Sequence, residues 1–139
     1  MTRREKYPNT DTFRFYNANP KNRITDDCIF RAIAYAAEIE WEEVVRIYYE
    51  TVIETKYDGD QAVDSLLSKL GWVKHKQPRK SDNTKYTGKE FCELCAYEDV
   101  RYIANIGGHH MVAIVGRQVC DIWDSTDGCI GNYWIKSKK

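Results

Sequence analysis

Short apolar runs bounded by turn residues crowd the last third of this chain. Earlier, apolar residues recur every three or four positions. The first pattern predicts strands and the second predicts helices. Helices are expected from Cys28 to about Glu38, Trp41 to Thr55, Gln61 to Leu70 and about Lys89 to Ala96. In the second helix Trp41, Val44, Val45, Tyr48 and Val52 form one stripe, and in the third Val63, Leu66, Leu67 and Leu70 face inward, with Gly71 ending it. The first helix is apolar on nearly every face, as a buried helix would be.

Strands are expected at Tyr102–Ile106, His110–Val115 and Gln118–Trp123, pairing consecutively and antiparallel, with a last strand from about Asn132 to Lys136. Phe13 to Tyr16 reads as a short edge strand, and Trp72 and Val73 read as the start of another short extended piece. Residues 1–12 read as a polar tail. Lys74 to Tyr86 reads as the longest loop, of a kind that often covers substrate near a cleft. Helices first and sheet second make the fold class α+β, in one domain over residues 1–139.

The hairpin around Gly116-Arg117 makes a register prediction. A two-residue turn pairs Val115 with Gln118, Ala113 with Cys120, Val112 with Asp121 and His110 with Trp123. Side chains two apart share a face, so His110, Val112, Asp121 and Trp123 lie together and Asp121 is diagonal to His110. Asp124 falls on the other face and is the second choice to orient His110; a one-residue slip would exchange the two. His109 points away from His110.

Those positions matter because of Cys28. Asp26 and Asp27 can cap a helix that places Cys28 in its first turn, where unpaired backbone N–H groups favour a thiolate. A thiol nucleophile needs a base and a group to orient it, and His110 with Asp121 supplies both. Gly107-Gly108, too short for a phosphate loop, is expected to let the chain pass close to the Cys28 sulfur.

The order of these blocks resembles the papain-like cysteine peptidases: a nucleophile on a central helix, packed against a C-terminal antiparallel sheet that carries base and orienting residue. Asp27-Cys28 also resembles the Asp-Cys pair of the bacteriocin-processing peptidase domains of bacterial ABC transporters. In both groups a glutamine six residues before the cysteine serves the oxyanion hole, so the resemblance implies that role for Asn22. Papain has Asn-x-Trp at the orienting position, with the tryptophan shielding the pair. Asp121-Ile122-Trp123 is similar, which implies a shielding role for Trp123. The stretches Asn19 to Ala34 and His110 to Trp134 are similar to small uncharacterised proteins of bacteria and their phages.

Composition narrows the classes. The 139 residues carry 21 Lys plus Arg against 21 Asp plus Glu, a net charge of zero that argues against a nucleic-acid binder. Basic residues crowd Lys74 to Lys89, read as a solvated loop that could still guide an acidic substrate. No apolar run approaches a membrane span, and the N-terminus lacks a signal-peptide core, so a cytoplasmic protein with reduced cysteines is expected. Cys92-Glu93-Leu94-Cys95 has zinc-ligand spacing, with Cys120 and Cys129 able to complete a site. Without a second CxxC the four are read as packing residues, with no metal and no cofactor.

The expectation is a cysteine hydrolase, a peptidase acting on a protein or peptide substrate through Cys28, His110 and Asp121. The same triad would serve an isopeptidase or deamidase. The alternative from another class is a non-enzymatic protein-binding module on the same frame.

Overall fold

The computed structural model describes residues 1–136. Eleven elements follow one another: α1 (Arg3–Lys6), β1 (Phe13–Phe15), α2 (Cys28–Ala37), α3 (Trp41–Thr55), α4 (Gly59–Lys69), β2 (Trp72–His75), α5 (Gly88–Leu94), β3 (Tyr102–Ile106), β4 (His110–Val115), β5 (Gln118–Asp121) and β6 (Ile130–Lys136). The α+β expectation holds. The six strands form one open sheet in the order β1-β5-β4-β3-β6-β2.

Apolar side chains from both sheet faces build two cores. Ile103, Met111, Ala113 and Trp134 pack with Ala32, Ile33 and Ala36 of α2 and with Val44, Val63, Leu66 and Leu67 of the two following helices. Ala104, Ile106, Val112, Ile114 and Val119 pack with Phe91 and Cys92 of α5 on the opposite side. The alanines of α2 let the helix lie close against β4, β3 and β5. Glu38 ends that helix in a left-handed conformation at φ 58°, its N–H bonded to the Ala34 carbonyl.

The β4–β5 register is the expected one, with Ala113 opposite Cys120 and Val115 opposite Gln118. Gly116 and Arg117 both stand at φ 60°, as a two-residue hairpin turn of the type I′ kind requires. A non-glycine residue there is strained, and the strain is offset. The Arg117 guanidinium donates to the carbonyls of Cys92 (3.0 Å) and Glu93 (2.6 Å) near the C-terminal end of α5, where unpaired carbonyls accept cations well. The turn that sets the register is thereby tied to the opposite side of the sheet.

Three local expectations change, and the expected edge strand gains its partner. The segment read as a polar tail contains α1, closed by a capping box between Thr2 and Glu5. Arg3 Nη1 donates to the Ile122 carbonyl at 3.1 Å, and Asn9 Oδ1 accepts from the Phe15 N–H at 2.8 Å. The edge strand β1 pairs with β5 in parallel, Phe13 opposite Val119. The loop after α4 is shorter than expected, because β2 pairs antiparallel with β6 and an isolated bridge joins Arg79 to Lys85. Lys74 Nζ lies 5.4 Å from the Trp134 ring centre and His75 stacks on Tyr133 at 5.0 Å, so aromatic contacts extend the strand past Val73.

Finally, β5 stops at Asp121 instead of Trp123. The Asp121 carboxylate accepts its neighbour's N–H, that of Ile122, at 2.8 Å. A side chain that takes this donor removes it from the ladder.

Candidate active site

Cys28 is the first residue of α2, at the end of the sheet where His110 begins β4. Its backbone N–H belongs to the first helical turn, where no intrahelical acceptor exists. Asp27 precedes it, but its side chain makes no cap bond. Instead the buried Asp27 carboxylate accepts from Arg31 Nε (2.8 Å), Asn19 Nδ2 (3.1 Å) and Trp41 Nε1 (3.0 Å). The expected cap is an anchor of a different kind.

The Cys28 thiol feels opposing influences. Burial pushes it up. Hydrogen bonding to His110 and to the Met111 N–H, with the charges of His110 and Arg31, outweighs that and holds it below the ordinary thiol range. His110 shows the reciprocal effect. Burial alone would lower it, but hydrogen bonds to Asp121 and Cys28, and the charges of both, push it up to about 9.

Asp121 uses both oxygens. Oδ2 is hydrogen-bonded to His110 Nε2, while Oδ1 accepts from Arg31 Nη1 at 3.0 Å and from the Ile122 N–H. Nε2 being engaged, Nδ1 is the ring nitrogen left for the sulfur. The carboxylate is 4% exposed, so its negative charge acts in a poorly screened environment. Asp121 thus meets His110 at the open end of the hairpin, one residue beyond the last ladder pair, Ala113 with Cys120. Asp124 turns away: its Oδ1 accepts from the N–H and hydroxyl of Thr126. The Trp123 ring lies tilted beside His110, centres 5.1 Å apart, and is 37% exposed. It thus covers one side of the imidazole from solvent.

Asn22 is placed differently. It is exposed, left-handed at φ 54°, with its N–H bonded to the Asn19 carbonyl in a turn. Among the described hydrogen bonds none joins Asn22 to Cys28 or His110. The glycines before the base also serve differently than expected. Gly107 and Gly108 stand at φ 62° and 96° with open space where a side chain would project. They permit the β3–β4 turn; no close approach requires them.

A polar cavity of about 530 Å³ lies at this end of the sheet, lined by Gln77, Lys85, Asn105, Gly108, Cys129 and Asn132 among others. Asn105 pairs across the ladder with Met111, and Gly108 is two residues before His110. Neither Cys28 nor His110 lines the cavity; it reaches the β3–β4 turn that leads into His110.

The other cysteines are separate. Cys92 and Cys120 are buried, their thiols pushed up by burial to about 12 and about 11. Burial also raises Cys95, while Cys129 is exposed. Among the described residues no three His, Cys, Asp or Glu side chains gather in a set able to hold a metal ion, and no helix is long and apolar enough to cross a membrane.

Sequence reasoning missed Arg31, Asp27 as its partner, and Asn19. One signal was present: a lone arginine inside a helix otherwise apolar all round, four residues after an aspartate, the spacing of a helical ion pair. Comparison with protein-family models, curated proteins and solved structures gives no match.

Proposed function

We propose that the chain is a cysteine hydrolase of papain-like arrangement, acting as a peptidase on a protein or peptide amide bond. One observation carries the reading. The thiol opening α2 is held below its ordinary range by the neighbouring His110, whose ring Nε2 is in turn held by the buried Asp121 carboxylate.

In the proposed reaction the Cys28 thiolate attacks the carbonyl carbon and the carbonyl π electrons move to oxygen. The Cys28 N–H, free of an intrahelical partner, donates to that oxyanion. The intermediate collapses, the C–N bond breaks, and the His110 imidazolium gives its proton to the leaving amine. A thioester remains. His110, now neutral, takes a proton from water, and the hydroxide formed attacks the thioester. Its collapse releases the acid and regenerates thiolate and imidazolium. Asp121 keeps the ring oriented throughout. The cavity beside Asn105 and Gly108 is the proposed seat of a substrate side chain, and its amides and Lys85 suit polar or acidic groups.

The same steps serve an isopeptidase or deamidase. A second reading, a protein-binding module without catalysis, is favoured by the outward placement of Asn22, which leaves no side-chain amide assigned to the oxyanion. Labelling with an iodoacetamide probe at pH 6, with the modified residue mapped by mass spectrometry, separates the two. The hydrolase reading expects Cys28 to react ahead of the exposed Cys129. Cys28 reacting no faster than Cys129, together with no turnover of a diverse peptide mixture, would leave the binding module.

A further inference from the structure

Arg31 lies three residues after Cys28, one helical turn along α2, and is 6% exposed. A charge so deeply buried must be matched, and here two carboxylates match it. Nε donates to Asp27 Oδ1 at 2.8 Å, and Nη1 donates to Asp121 Oδ1 at 3.0 Å. The planar guanidinium offers several donors in fixed directions, so it can serve two acids at once. Asp27 is held from its other side by Asn19 and by the Trp41 indole of α3. Asp121 faces His110 with its remaining oxygen.

The charged groups thus form a row: Asp27, Arg31, Asp121, His110, Cys28. Signs alternate along it when the thiol is ionised. The row also closes on itself, because Arg31 and Cys28 share one helix. A single rigid element presents the nucleophile and, one turn on, the cation that grips the acid behind the base.

We propose that Arg31 is the positioning residue of this site, fixing the Asp121 carboxylate against His110 through a guanidinium that Asp27, Asn19 and Trp41 lock in place. The inference rests on the hydrolase reading above. A purely structural ion pair would hold α2 to β5 and leave the ionisation of Cys28 and His110 as it was. A charge acting only through its field would do something else: removing a nearby cation favours the imidazolium and raises the His110 titration. Loss of positioning acts in the opposite direction, because a carboxylate free to swing from the ring no longer stabilises its proton.

The test uses the full chain and no substrate. His110 is titrated by NMR of its imidazole, and Cys28 by the pH dependence of iodoacetamide alkylation, in wild type, Arg31→Met and Arg31→Lys. In Arg31→Met the His110 midpoint is expected to fall by about one unit or more, with Cys28 alkylation near pH 6 slowed about tenfold or more. Arg31→Lys keeps the charge, but one ammonium cannot fork to both carboxylates, so an intermediate shift is expected. A rise of the His110 midpoint in Arg31→Met, or no change in either variant, overturns the proposal.

Arg31→Met leaves two buried carboxylates without their cation, and its folding is checked by circular dichroism. If it does not fold, the charge-balanced Asp27→Asn/Arg31→Met chain takes its place with the same expectation. If that too is unfolded, the Arg31→Lys shift alone decides. A wild-type Cys28 that titrates as a free thiol overturns this proposal and the hydrolase reading together. A wild-type ion pair that survives every variant overturns only the role of Arg31.

Discussion

His110 Nε2 is hydrogen-bonded to Asp121 Oδ2 across the open end of the β4–β5 hairpin, at the point where β5 stops. That bond leaves Nδ1 for the sulfur and sets the polarity of the site: carboxylate behind, imidazole between, thiol in front. The ring then carries its proton well above its ordinary range.

The first consequence is selectivity among five thiols. Cys28 is held down while Cys92, Cys95 and Cys120 are pushed up by burial. Substoichiometric iodoacetamide near pH 6 should therefore modify Cys28 first, and His110→Ala should slow that reaction. Mass spectrometry of the digest reads both. Equal labelling of Cys28 and Cys129 would contradict the ion pair.

Any hydrolytic rate should be bell-shaped in pH. The acid limb reports Cys28 and the basic limb reports His110, near the value of about 9 to which its partners raise it. A basic limb near 6.5, the ordinary histidine value, would mean that the partners exert no net pull.

The same raised value has a sign for stability. A group whose proton is held more tightly when folded stabilises fully below its unfolded value, about 6.5 for histidine. That contribution is lost as pH rises through about 9. Thermal melts of wild type should show this loss between those limits. Asp121→Asn, which removes the carboxylate charge, should flatten it.

Asp121→Asn should also lower turnover by roughly 10²–10⁴-fold, the scale set by losing the orienting acid of a triad. Asp124→Asn should cost far less, since Asp124 is engaged with Thr126. Steady-state kinetics of the two variants gives the ranking; the reverse order would assign the orienting role to Asp124.

Trp41→Phe keeps an aromatic ring beside Phe30 and removes the N–H given to Asp27 together with the second ring of the indole. A buried carboxylate would lose one of three side-chain donors, at a cost of about 1–3 kcal/mol. Urea denaturation measures it. A change near zero would show that Asp27 finds another donor.

How much of this was legible in the sequence differs from residue to residue. Cys28, His110 and Asp121 could be read because local rules bring them near: a helix start, and a two-residue turn that sets the hairpin register. Arg31 could be read only in part, through Asp27 four residues before it. Its second carboxylate lies 90 positions away, and a charge inside an apolar helix shows its partner only after the sheet has closed over it. The parallel pairing of β1 was hidden for the same reason, since three residues carry no mark of which edge they join. Asn22 was placed by its offset from Cys28, and offsets along a loop do not survive a left-handed turn.

The N-terminal segment gives the site a wall drawn from far outside its own stretch of chain. Arg3 grips the Ile122 carbonyl, β1 runs along β5, and the Tyr16 N–H bonds the Asp121 carbonyl at 2.9 Å. A protease cut or fusion tag that peels this segment away would uncover the raw edge of β5 and loosen the backbone on both sides of the acid. Cys28, His110 and Asp121 could all remain in the fragment while their alignment was lost.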